Sequence, residues 1–100
     1  FHRVASERHN YHLLVARVTN GKRDDMIKYM AYEKSIQCVV QYYPLNRYPF
    51  YQKLGFGEAN CPNTDEFFDH MISFPFHHWM SEVDFDYMIK SVKETLKHFS

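Results

Sequence analysis

The chain is poor in the residues that mark several common functional classes. Glycine occurs three times in 100 residues, too rarely and too scattered for a phosphate-cradling loop of the GxGxxG or P-loop kind. Cysteine occurs twice, at Cys38 and Cys61, where a small secreted domain stapled by disulfides would carry more. A reducing cytoplasm is therefore the expected compartment, and both thiols are expected to be inert core or loop groups rather than a disulfide or a nucleophile. No run approaches the roughly 20 apolar residues that cross a bilayer, and no signal-peptide pattern opens the chain, so no membrane contact is expected. Charge of one sign is also missing: 12 Lys and Arg face 12 Asp and Glu. A nucleic-acid binder needs a basic surplus to neutralise phosphates, so nucleic acid is not an expected partner.

The seven histidines follow no HExxH-like spacing, and no CxxC is present. His9 and His12 could converge, and His70 lies near His77 and His78. Adjacent residues of an extended segment point to opposite faces, which separates His77 from His78. Surface histidines, rather than metal ligands, are the expectation.

Aromatic residues are what the chain has in quantity: nine Phe, eight Tyr and one Trp, within a 45% hydrophobic composition. Each buried ring removes roughly 150–250 Å² from water. With 24% charged residues and no net charge, this is a folding composition rather than a disordered one. The length fits one domain over residues 1–100, with an expected radius of gyration of about 13 Å. The first residue is Phe1, which is expected of a piece cut from a longer protein. Such a piece exposes apolar surface and is expected to self-associate.

Periodicity predicts an α/β (α+β) domain: a small sheet of three or four strands with helices packed on it. Residues 1–10 read as the polar end of an upstream element. Residues 11–18 (YHLLVARV) read as a strand closed by the turn signal Asn20-Gly21. Residues 23–34 read as a helix with Asp24 and Asp25 at its positive end and Met26, Ile27, Met30 and Ala31 on one face. Residues 36–43 (IQCVVQYY) alternate as a second strand, with Ile36, Cys38, Val40 and Tyr42 on one side, ended by Pro44. If these two strands are parallel, the crossover between them should be right-handed.

The next segment, 44–62, holds three of the four prolines and reads as loop with one helical turn near Tyr51–Leu54. A short helix over 63–71 follows, with Asn63 or Thr64 as N-cap and Phe67, Phe68 and Met71 inward. Residues 72–76 (ISFPF) read as an edge strand, the place where Pro is tolerated. The last helix starts at the N-cap Ser81 with Asp84 as its capping partner. It repeats Phe85, Met88, Ile89, Val92, Leu96 and Phe99 along its inner face.

Chemistry concentrates in residues 41–51 (QYYPLNRYPFY). Two prolines stiffen a segment rich in flat rings, with amides at Gln41 and Asn46 and a guanidinium at Arg47. Tyr combines apolar area with one hydrogen-bonding end, and these groups can pair with sugar hydroxyls or phosphate. The same composition also suits a surface on which a neighbouring domain packs. The interleaved Arg47-Tyr48-Pro49-Phe50-Tyr51-Gln52-Lys53 could stack bases, but the neutral balance argues against it. Carboxylates at Asp24/Asp25 and Asp65/Glu66 are accounted for by helix starts.

In its order of segments the chain resembles the C-terminal domain of the DegT/DnrJ/StrS-type aminotransferases, pyridoxal-phosphate enzymes that aminate keto groups on nucleotide-linked sugars. The family's His-Tyr-Pro-Pro-Leu-His-like segment is matched by Gln41-Tyr42-Tyr43-Pro44-Leu45-Asn46, followed by Pro49-Phe50-Tyr51 and Leu54-Gly55-Phe56. Its Leu-Ser-Leu-Pro-Leu and Thr-Glu-Glu-Asp-Val correspond to Ile72-Ser73-Phe74-Pro75-Phe76 and Ser81-Glu82-Val83-Asp84-Phe85. The resemblance runs from about residue 9 to 99. It implies the C-terminal part of a fold-type I aminotransferase, acting in polysaccharide or deoxyamino-sugar biosynthesis as a homodimer.

The resemblance further implies that the cofactor is held by a large N-terminal domain absent from this chain. That domain carries the Schiff-base lysine, the pyridinium partner and the phosphate site. None of those motifs occurs here, so this chain alone is expected to bind no cofactor and to be inactive. The implied contribution is substrate contact through Gln41, Tyr42, Tyr43, Asn46 and Arg47. Two histidines of the family pattern are replaced by Gln41 and Asn46, which bond to hydroxyls but cannot exchange protons near pH 7. A stand-alone interaction or regulatory module with the same fold and no catalysis is the alternative.

Overall fold

The structure, a computed structural model, describes residues 10–56 and 59–100. The reading of residues 1–9 as the tail of an upstream element, and of His9 as a neighbour of His12, lies outside them. The described elements run in the order β1 (Leu14–Arg17), α1 (Arg23–Lys34), a 3-10 turn (Leu45–Arg47), α2 (Pro49–Lys53), α3 (Pro62–His70), β2 (Met71–Phe74) and α4 (Glu82–His98).

The fold class is the expected one, helices packed on a small sheet, but among the described residues the sheet has two strands rather than three or four. β1 and β2 pair antiparallel, from Leu14 opposite Phe74 to Arg17 opposite Met71. The expected strand 36–43 contributes one bridge, Val39 with Ser73, so no parallel crossover arises. Ser73 exchanges both backbone bonds with Val39, at 2.8 and 3.0 Å. In that register the next pairs would be Gln37 with Pro75 and Gln41 with Met71. Pro75 has no N–H to donate, and the Met71 N–H is already bonded to the Phe67 carbonyl at the end of α3. Both flanking rungs therefore lack a donor, and the ladder stops at one.

β2 is consequently the middle segment rather than an edge strand. All four of its residues are buried, and Pro75 lies just past its end, where the missing N–H limits only the Val39 side.

α1 covers the predicted residues. Asp24 and Asp25 sit in its first turn and Met26 and Met30 face inward, while Ala31 is exposed. Gly21 before it adopts φ 72°, a turn conformation glycine enters at little cost. α4 begins as predicted at Ser81, whose Oγ accepts from the Asp84 N–H at 3.1 Å and donates to the Asp84 carboxylate at 2.6 Å. Its inner face keeps four residues of the hydrophobic repeat, Met88, Ile89, Val92 and Phe99, but Ser91 and Thr95 are buried with them, while Phe85 and Leu96 are exposed.

Small residues let α1 come close, and Met30 fills the space opposite. The Thr95 hydroxyl is satisfied by donating to the Ser91 carbonyl at 2.7 Å and lies 2.9 Å from Met30 Sδ. The seam is extended by Tyr29, which stacks on His98 at 4.5 Å and meets Phe99 edge-on.

The core joins Val18, Met26, Met30, Ile36, Cys38, Ile72, Phe74 and Met88, with Leu14, Ala16, Ile27, Ile89, Val92 and Phe99 packed against it. None of these lies between residues 39 and 71. The 3-10 turn, α2 and α3 thus form a layer outside the core. The radius of gyration is 15.7 Å, with the longest axis at 47 Å, more extended than the expected ~13 Å of a compact 100-residue domain. Among the described residues no helix is long and apolar enough to cross a membrane.

Candidate functional site

The aromatic loop builds itself from local rules. The chain enters through Pro44, which is buried. The Arg47 and Tyr48 N–H groups bond back to the Pro44 and Leu45 carbonyls at 3.0 and 3.2 Å, closing the 3-10 turn. Pro49 is the first residue of α2, where a helix has no use for an N–H. Gly55, at φ 86°, turns the chain away after α2. The helical turn predicted at Tyr51–Leu54 is therefore present but begins two residues earlier.

Tertiary bonds fix the loop to α3. Arg47 Nε donates to Asp65 Oδ1 at 2.8 Å and Nη1 to Asp69 Oδ1 at 3.1 Å. Its guanidinium lies 5.3 Å from the centre of the Phe68 ring, within cation–π range. Rings continue the contact: Tyr43 meets both Phe68 and Tyr48 edge-on, and Tyr48 meets Tyr51 the same way. The pair of Asp65 and Asp69, four residues apart on one helix face, is what sequence reasoning missed. Asp65 stands in the first turn of α3, as the helix dipole requires, but its carboxylate is also a partner of Arg47. α3 itself starts at Pro62 with Cys61 before it, and no side chain caps it; the predicted caps Asn63 and Thr64 lie inside.

The electrostatics follow the geometry. The hydrogen bond from Arg47 holds the Asp69 carboxyl below its ordinary value of 3.8, and the same bond raises Arg47. A carboxyl lowered in the folded state stabilises the fold above its ordinary pKa and loses that contribution as pH falls through the lowered one. The Arg47 contact is therefore complete at neutral pH.

The five predicted site residues do not share one place. Asn46 reaches a groove of about 550 Å³ lined also by Leu45, Tyr51, Phe56, Cys61 and Thr64. Its Nδ2 donates to the Ala59 carbonyl at 3.3 Å, and its own carbonyl accepts from Gln52 Nε2 at 3.5 Å. Tyr43 and Arg47 are turned toward α3. Gln41 and Tyr42 precede them in the chain, joined by a cis peptide. Tyr42 is 65% exposed, and its hydroxyl is 3.3 Å from His12 Nε2. A titratable ring thus stands beside the loop although Gln41 and Asn46 have none.

A second hollow, about 580 Å³, lies at the start of α4 between Tyr11, Phe76, His77, His78, Glu82 and Phe85. His77 and His78 both line it, contrary to the extended reading, because the chain turns there and the Met80 N–H bonds to the His77 carbonyl at 3.1 Å. Among the described residues no three His, Cys, Asp or Glu side chains converge as a metal site would need.

Both thiols are free. Cys38 is buried in the core and burial pushes it up to about 11, whereas Cys61 is half-buried beside the groove. Since the thiolate is the reactive form, ~0.1% of Cys38 is ionised at pH 8. Timed labelling with a water-soluble disulfide reagent is expected to modify Cys61 at least tenfold faster than Cys38. Equal rates would place Cys38 outside the core.

All seven lysines of the chain are among the described residues. Six of the seven are exposed, and the seventh, Lys34, bonds to Glu94 at 2.6 Å. That bond raises the Lys34 pKa, whereas an imine-forming amine must be neutral and is lowered by its surroundings.

The model of the DegT/DnrJ/EryC1/StrS aminotransferase family matches residues 1–93. The chain is 34% identical over 95 residues to the spore coat polysaccharide biosynthesis protein SpsC of Bacillus subtilis, covering 90% of this chain and 24% of SpsC. Among solved structures it is similar to Spr1654 of Streptococcus pneumoniae, provisionally assigned as a sugar aminotransferase. The similarity is found in both its PMP and apo forms, each with a TM-score of 0.74 and 31% identity over 87% of this chain. The chain spans about a quarter of the length of these relatives, 22–24%.

Proposed function

The chain belongs to the DegT/DnrJ/EryC1/StrS aminotransferase family, and from that premise we propose that it is the C-terminal domain of an enzyme that aminates a nucleotide-linked keto sugar for polysaccharide or deoxyamino-sugar biosynthesis. Aminotransferases of this family use pyridoxal phosphate, which carries the amino group between donor and acceptor. The lysines of this chain do not fit the task of anchoring it, so in this reading the large domain holds the cofactor, and a homodimer in the cytoplasm is the working assembly.

The chain's own part is to bind and orient the sugar nucleotide. Asn46 and Gln41 offer both a donor and an acceptor, which suits hydroxyl pairs on a sugar ring, and the Tyr42 and Tyr43 rings offer flat apolar faces with a hydroxyl at one end. Neither amide titrates near neutral pH, so the loop orients the substrate and leaves proton transfer to other groups. The observation that carries the reading is the compact aromatic loop outside the hydrophobic core, with Asn46 directed into a ring-lined groove of about 550 Å³.

Two measurements on the chain test this together. Adding one equivalent of pyridoxal phosphate is expected to leave no imine absorbance band after gel filtration; a band retained at one per chain would overturn the division of labour. Titrating isotope-labelled chain with UDP-glucose or dTDP-glucose is expected to shift the amide resonances of residues 41–51 selectively. Asn46→Ala should weaken that binding about fivefold, in line with the loss of about one hydrogen bond. Shifts confined to other parts of the surface, or none at all, would favour a module that has kept the fold without the substrate.

A further inference from the structure

We propose that Arg47 is a positioning residue and not a substrate ligand: clamped between Asp65 and Asp69 over the Phe68 ring, it fixes the aromatic loop in the posture that faces the sugar nucleotide. The substrate half of this statement rests on the function proposed above; the clamp itself does not.

Apart from the buried Pro44, residues 44–56 lie outside the hydrophobic core, so burial does little to decide where the rest of the loop sits. The contacts that do are polar and aromatic, and they converge on α3. Arg47 supplies two of them from different nitrogens to different carboxylates, at 2.8 and 3.1 Å. A planar guanidinium holds such a two-point arrangement, which a lysine's point charge cannot reproduce. The ring of Phe68 lies under the cation and also meets Tyr43 edge-on. One side chain therefore sets both the backbone turn and the neighbouring tyrosine.

The charge balance excludes the simpler role. A guanidinium awaiting a diphosphate should face an open site with its positive charge uncompensated. Arg47 instead meets two carboxylates, so its positive charge is already compensated, and it does not line the adjoining groove. α3 is in turn a firm support. Arg23 Nη1 donates to the Phe68 and Met71 carbonyls at 3.0 and 3.1 Å, and the Val18 N–H bonds to the His70 carbonyl at 2.8 Å. The clamp thus ties the loop to a helix that is itself tied to β1 and α1.

The discriminating experiment compares Arg47→Met, Asp65→Asn/Asp69→Asn, all three together, and Arg47→Lys. The first readout is hydrogen exchange of the Tyr48 and Gln52 amides, whose bonds close the 3-10 turn and α2. Arg47→Met and the double asparagine variant are each expected to speed it about tenfold, the combination no further, and Arg47→Lys by an intermediate amount. The Ile72 and Met88 amides stay unchanged as a control for folding. The second readout is affinity for UDP-glucose or dTDP-glucose, expected to fall by a similar factor in both.

If Arg47 were a ligand, freeing it from its carboxylates would preserve or tighten binding while Arg47→Met abolished it, and the proposal would be overturned. Unchanged loop exchange in every variant would overturn the clamp regardless of binding. Failure of the unmodified chain to bind either nucleotide sugar would count against the function proposed above and leave the exchange result to decide the clamp.

Discussion

Ile72→Ala is expected to lower stability by about 2–5 kcal/mol and the midpoint of thermal unfolding by at least about 10 °C for a chain of this size. Ile72 has no exposed surface and sits in the middle of β2, between β1 on one edge and the Val39 bridge on the other. Backbone pairing on both edges holds its neighbours in place, so the cavity cannot collapse and the full cost is felt. Leu96→Ala removes a side chain of the same size from α4, but Leu96 is 55% exposed, and its cost should stay near or below about 1 kcal/mol. Urea unfolding of the two variants side by side checks the pair. A Leu96 variant as damaging as the Ile72 variant would mean that Leu96 packs inward with Met88 and Val92.

Arg23→Met should cost about 2–3 kcal/mol, near the upper range for hydrogen bonds made by a charged donor. The side chain is 15% exposed, and its Nη1 reaches the carbonyls of Phe68 and Met71 together, at the junction where α3 ends and β2 begins. Removing it leaves both acceptors short of a partner where little water reaches. Arg17→Met makes the comparison: Arg17 pairs with Glu66 of the same helix, but both partners are about half exposed, and exposed pairs contribute ~0.2–1 kcal/mol. Thermal melts that rank Arg17 above Arg23 would contradict this account of what holds α3.

The sequence was informative where one element's pattern suffices and silent where two elements meet. Helix α1 follows from its acidic first turn and Met spacing, and α4 from Ser81 and Asp84, because caps and dipoles are local. Strand 36–43 failed for a non-local reason. Its alternation is real, with Ile36 and Cys38 buried, but the partner donors it needed are lost to Pro75 and to the end of α3. The inner face of α4 was read correctly at Met88, Ile89, Val92 and Phe99 and missed at its edge, where hydrophobicity favoured Leu96 over Ser91 and Thr95, whereas the close approach of Met30 selects for small side chains.

At the loop, the unusual composition of residues 41–51 singled out a segment that the structure folds outside the core. The same composition could not say that Arg47 faces α3, since its partners Asp65 and Asp69 lie 18 and 22 residues further on. Nor could it bring His12 to Tyr42 from 30 residues away.

Helix α3 receives an arginine from each of three neighbours: Arg17 from β1, Arg23 from α1 and Arg47 from the 3-10 turn. Such attachments respond to dissolved electrolyte in a way that Met, Ile and Phe packing does not. At molar ionic strength the Debye length shrinks to ~3 Å, and partly exposed pairs lose much of their attraction. The outer layer should then loosen while the sheet and α4 hold firm, which gives the aromatic loop a sensitivity to its ionic medium that the rest of the domain does not share.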